Sequence, residues 1–68
     1  MDEATKGRMD QLIAAAVRQG WTVSQRKTGT WVFIRTQGNV TSNVSARVDK
    51  ARDLVDLVIA LRGYGLEI

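Results

Sequence analysis

Trp31 and Phe33 stand two residues apart, with Arg26 and Lys27 before them and Arg35 behind, in the stretch RKTGTWVFIR. Aromatic rings can stack on nucleic-acid bases for ~1 to 3 kcal/mol per base, provided that cations close by hold the phosphates. Arg18 and Arg47 would extend such a phosphate track. Tryptophan, other aromatics and arginine are also the residues that protein interfaces concentrate at their hot spots. The set therefore points to a contact surface for a nucleic acid or for a protein. A sheet that binds nothing can carry the same residues.

Charge placement favours the first partner. Residues 1 to 10 carry Lys6 and Arg8 against Asp2, Glu3 and Asp10; residues 49 to 68 carry Lys50, Arg52 and Arg62 against Asp49, Asp53, Asp56 and Glu67. Each end is thus slightly acidic. From Gln11 to Val48 there is no acid, and Arg18, Arg26, Lys27, Arg35 and Arg47 supply all of the excess behind the net charge of +3. A basic stretch of this kind suits a polyanion. The alternative is that these cations keep a sheet soluble and its edges unpaired.

Other chemistries are narrowed by what the chain lacks. It has no histidine and no cysteine, which removes the commonest general base, the commonest metal ligand, thiolate sites and disulfides. Asp49, Asp53 and Asp56 are spaced four and three apart, so they run down one helix as a solvated face beside Lys50 and Arg52. Tyr64, between Gly63 and Gly65, is a lone phenol that is expected to pack the tail. The chain reads as a non-enzyme with no cofactor and no metal. No apolar run approaches the roughly 20 residues that span a bilayer. The opening MDEATKGRMD is acidic and polar where a secretory signal is basic and then apolar, so the expected location is the cytoplasm, with no membrane partner.

The elements that must position these residues follow from periodicity. At 68 residues the chain is expected to be a single domain, residues 1–68. It is near the size at which only about 60% of the unfolded surface is buried on folding, so few large apolar side chains can be left outside. Met9, Leu12, Ile13, Ala16 and Val17 keep the spacing of one helical face, which predicts a helix ending near Gln19. Asp2 and Glu3 suit its first turn, Arg18 its last, and Gly20 the position past its end. Gly7 lowers helix propensity in the early turns. Three short runs, WTVSQR, TWVFIRT and VTSNVS, separated by KTG and QGN, read as strands joined by hairpins. Gly29, Gly38 and Asn39 can take the positive φ that such turns need. Ala51, Leu54, Val55, Val58 and Leu61, with Leu57 beside them, predict a second helix over about 49 to 62, with Asp49 as N-cap and Gly63 as terminator. The fold class is α+β: an α-β-β-β-α order, a three-stranded antiparallel sheet with both helices on one face, because three strands alone cannot bury a core.

Strand alternation then sorts side chains between the covered and the open face. Trp21, Val23, Val40 and Val44 form apolar sets, and Thr22, Ser24, Arg26, Thr41 and Asn43 the polar complements. The middle strand is ambiguous, because Val32 and Ile34 form one set and Trp31, Phe33 and Arg35 the other. The smaller β-branched pair fits beneath helices that already cover Trp21. This predicts Val32 and Ile34 inside and Trp31, Phe33 and Arg35 on the open face, where an apolar patch would mark a contact surface. The reverse placement, with Trp31 and Phe33 in the core, is the alternative.

The element order, with Gly20 followed by Trp21 and a K-x-G-T turn at Lys27 to Thr30, resembles the HicA family of small toxins. That resemblance implies a double-stranded RNA-binding-like fold and an RNA-facing sheet with residue 31 on its open side. Gly29 and Thr30 match the family's motif, but Trp31 stands where its catalytic histidine would be, so the resemblance does not carry RNA cleavage with it. The sequence therefore reads as a small binding module using the open face of its sheet, for nucleic acid and RNA more than DNA. The alternative is a protein partner or a homodimer through the same Trp31 and Phe33 patch, as an accessory protein of a phage or mobile element would use against a host protein.

Overall fold

A computed structural model describes all 68 residues. Helix α1 (Glu3–Arg18) leads into strands β1 (Thr22–Gln25), β2 (Trp31–Gln37) and β3 (Val40–Ala46), and helix α2 (Ala51–Gly63) closes the order. The sheet is antiparallel in the order β1-β2-β3. Both helices cover one of its faces, since side chains from α1, α2 and that face form one hydrophobic cluster.

The two helices end in the same way. Gly20 takes φ +91°, its N–H donates to the Val17 carbonyl, and the Trp21 N–H reaches back to the Ala16 carbonyl. Gly65 takes φ +97°, with Gly65 N–H to Arg62 and Leu66 N–H to Leu61. Both are Schellman motifs, in which the residue after the glycine packs on the helix it has just left. Here those residues are Trp21 and Leu66, and both are buried. The second helix is thus ended by Gly65 and not by Gly63, which is its last helical residue.

The starts differ. At α1 the Asp2 carboxylate accepts the Thr5 N–H at 2.7 Å. At α2 the N-cap is Lys50 and not Asp49. Lysine has no acceptor, and Asp53 from the first turn reaches back to accept the N–H groups of Asp49 and Lys50, each at 3.0 Å. These bonds to the ionised form hold the carboxyls of Asp2 and Asp53 below the ordinary aspartate range.

The sheet register corrects the expected faces. Phe33 lies between Val23 on β1 and Val44 on β3, and partners directly opposite share a face. Val23 and Val44 face the helices, so Phe33 does too. It is fully buried at the centre of the core, and Trp31, opposite Gln25 and Ala46, is half-buried against the same cluster. Val32 and Ile34 are on the other face; Val32 is buried and Ile34 half-buried, both outside the helix-covered cluster. The β2–β3 turn fixes this arrangement. With two residues, Gly38 at φ +62° and Asn39, between Gln37 and Val40, odd positions of β2 meet even positions of β3.

The helical stripes are also rotated from their expected centres. On α1 the structure buries Thr5, Met9, Leu12, Ala15 and Ala16 and leaves Val17 exposed. On α2 it buries Leu54, Leu57 and Leu61, while Val55, expected in the core, is exposed.

Candidate functional site

The residues expected to form one binding face are dispersed. Arg26 and Lys27 are exposed in the β1–β2 turn, which the Arg26 N–H closes on the Thr30 carbonyl. Arg18 is exposed in the last turn of α1, in the helix layer. Arg47 follows β3 and lines a cleft of about 210 Å³ with Asp53 and Asp56, so acids of α2 are its neighbours. Phe33 is inside the core, out of reach of any ligand. Trp31 and Arg35 share the helix-facing side of β2 with it, and residue 31 therefore does not take the open-face position that the HicA resemblance implies.

Arg35 has a structural task instead. Its guanidinium lies 4.8 Å from the centre of the Trp21 ring, and its Nη2 donates to the Tyr64 carbonyl at 2.6 Å. A cation is favoured there, because unpaired carbonyls at the end of α2 carry partial negative charge. A side chain on Gly65 would put its Cβ 2.8 Å from that nitrogen. Gln19 ties the same two ends together: its amide donates to the Glu67 carbonyl at 2.7 Å and accepts the Glu67 N–H at 2.8 Å. The Trp21 Nε1 and the Arg35 Nε have no hydrogen-bond partner within the chain. Tyr64 contributes its backbone, and its side chain is exposed. The readable signal was the repeated pattern of a glycine followed by a large apolar residue at 20–21 and 65–66; the distance of Arg35 from Tyr64 along the chain hid the rest.

The open sheet face shows Thr22 and Asn43 on either side of Ile34, and Ser24 and Ser45 on either side of Val32. Thr36 and Thr41 share a hydroxyl contact of 3.2 Å. It is a surface of hydroxyls around two aliphatics, without an aromatic ring or an acid.

The large unfilled surface lies elsewhere. A groove of about 480 Å³ runs between α1 and α2, lined by eight hydrophobic side chains together with Arg8, Gln11 and Arg62. Leu12 and Leu54 belong to the core as well as to this groove. Val55, Ile59 and Ile68, also in its lining, are 53%, 62% and 56% exposed. Helical spacing alone draws α2's apolar stripe through Val55 and Val58; the width of that stripe, continued by Ile59, is the signal that it exceeds what the sheet covers.

In comparisons with known proteins, no family model, no curated protein and no solved structure matches the chain. No helix is long and apolar enough to cross a membrane.

Proposed function

We propose that this chain is a small non-enzymatic binding module whose contact surface is the groove between α1 and α2, and that its partner is a protein offering an apolar segment. The exposed aliphatic surface carries this reading. Burying a valine or isoleucine fully is worth about 1.5 to 3 kcal/mol, and a domain of this size rarely has more than about 3 to 5 kcal/mol from its core. Leaving Val55, Ile59 and Ile68 half in water therefore forgoes a sizeable share of the available stability, which a partner that covers them restores. No histidine or cysteine is present, and Asp53, one of the aspartates of α2, is engaged in starting that helix.

A second reading, nucleic-acid binding on the sheet, is favoured by one observation: Arg26 and Lys27 project from the turn of a face that has hydroxyls and no acid. Hydroxyls and cations of this kind suit phosphate contacts, which position a nucleic acid without reading its bases. Base stacking by Trp31 and Phe33 has no part in it.

Co-purification from the cells that make the protein distinguishes the two, using the unaltered chain, Ile59→Asp, and an Arg26→Ala, Lys27→Ala double variant, each checked for fold by circular dichroism. The expected result is one defined protein retained by the unaltered chain and the double variant and lost from Ile59→Asp. Nucleic acid retained by Ile59→Asp, lost from the double variant and released steeply by salt would overturn the groove reading in favour of the second.

A further inference from the structure

We infer that the groove's occupant is an amphipathic helix with acidic residues beside its apolar stripe, and that Arg8 and Arg62 fix its register. The inference rests on the reading of the groove as a protein-binding surface, and it goes further in naming the partner's secondary structure and charge.

The walls decide the secondary structure. Both are helices, whose backbone groups are already paired internally, and most of the lining is side-chain hydrocarbon. An extended segment laid there would lose water from its own N–H and C=O groups and find no strand edge to replace it, a cost that backbone polar groups do not tolerate. A helix brings its hydrogen bonds with it and needs only an apolar stripe, which is the helix-in-groove mode of recognition. The lining on α2 extends from Ala51 to Arg62, about 16 Å at 1.5 Å per residue, the length of three turns.

The rim decides the charge. Arg8 on α1 and Arg62 on α2 are exposed, one on each wall, and the lining contains no acidic side chain. A glutamate or aspartate on either side of the incoming stripe would meet an arginine, and a lysine there would be repelled. The same rim argues against a second copy of this chain. A two-fold pairing of the groove with itself brings Arg8 and Arg62 from both copies around one apolar seam with no acidic side chain in the lining to offset them, and like charges so placed disfavour association.

Three synthetic helical peptides of about 14 residues, identical in a leucine stripe at i, i+3, i+4 and i+7 and flanked by glutamate, glutamine or lysine, test this by fluorescence anisotropy with the full chain at low salt. The glutamate peptide is expected to bind about tenfold more tightly than the lysine peptide, with the glutamine peptide between them. An Arg8→Glu, Arg62→Glu double variant is expected to reverse that order. Ile59→Lys, or Val55→Gln where the first loses its fold by circular dichroism, is expected to weaken all three. Equal binding of the three peptides, unmoved by the double variant but lost in Ile59→Lys, would keep the groove as a protein surface and overturn the acidic helix. Binding of none of them, or binding untouched by Ile59→Lys and Val55→Gln, would overturn the groove reading as well. Sedimentation showing a dimer that Ile59→Lys dissociates would make the occupant a second copy and overturn the inference.

Discussion

The uncovered face of the sheet and the outer face of the helix layer are both open to solvent, yet they present opposite chemistry. The first shows serine, threonine and asparagine around Val32 and Ile34. The second shows Val55, Ile59 and Ile68 around a groove edged by two arginines. The difference comes from what a small sheet can cover. Three strands about 4.8 Å apart seat only the inner arcs of two helices packed 8 to 10 Å apart. On α2 those inner positions are Leu54, Leu57 and Leu61, and the apolar stripe continues past them through Val58 to Val55 and Ile59. On β1 and β3 the period of two leaves only polar residues on the uncovered face, and β2 alone keeps two aliphatics there, one buried and one half-buried.

The largest effect that bears on this contrast is expected at Phe33. Phe33→Ala should cost about 3 to 5 kcal/mol, enough to leave much of the chain unfolded, as urea denaturation followed by circular dichroism would show; a loss under about 1 kcal/mol would return Phe33 to the open face and undo the comparison. Arg35→Ala is expected to cost about 1.5 to 3 kcal/mol by the same measurement, for the charged hydrogen bond to Tyr64. A solvent-exposed arginine would cost almost nothing, so the size of the loss reports which face it is on. Gly65→Ala should cost about 1 to 2 kcal/mol, from its φ of +97° and the approach to Arg35. Part of that cost should vanish in the Arg35→Ala background, where the nitrogen 2.8 Å from the new Cβ is gone.

Acid should have a milder effect. Asp2 and Asp53 have folded pKa values below the ordinary aspartate value, so the stability they contribute is present above the unfolded value of about 3.9 and is lost as pH falls through the lower folded values. The melting temperature is expected to decline below about pH 4, and Asp53→Asn should flatten part of that decline. The smallest stability change is expected at Ile59→Lys, within about 0.5 kcal/mol, because the side chain is on the surface. The comparison is sharpened if this variant, neutral for folding, is the one that removes binding; a loss of several kcal/mol would place Ile59 in the core and close the groove.

Much of the fold could be read from local pattern. The order of elements, the hairpin glycines and the helix-ending Gly20 follow from chemistry within a few residues. The face of β2 could have been read too, though alternation alone misassigned it. Alternation puts Val44 on the helix-facing side, and a two-residue turn at Gly38 and Asn39 sets Phe33 opposite Val44, so turn length carries the answer. Side-chain size was the wrong guide: large Phe33 fills the centre of the core together with Trp21. The candidate site was less legible, because it depends on which arc of each helix the sheet leaves over.

By itself, the sequence determined the elements and, to within a residue or two, where they stop, since capping, turn geometry and periodicity act over one to four residues. Tertiary structure alone decided that Arg35 bridges Trp21 and Tyr64, and that Val17, Val55 and Ile59 stay outside while Thr5 and Ala15 go in. Those outcomes depend on the angle at which two helices settle on a twisted sheet. That angle is set by packing between residues far apart in the chain, where no local spacing records it.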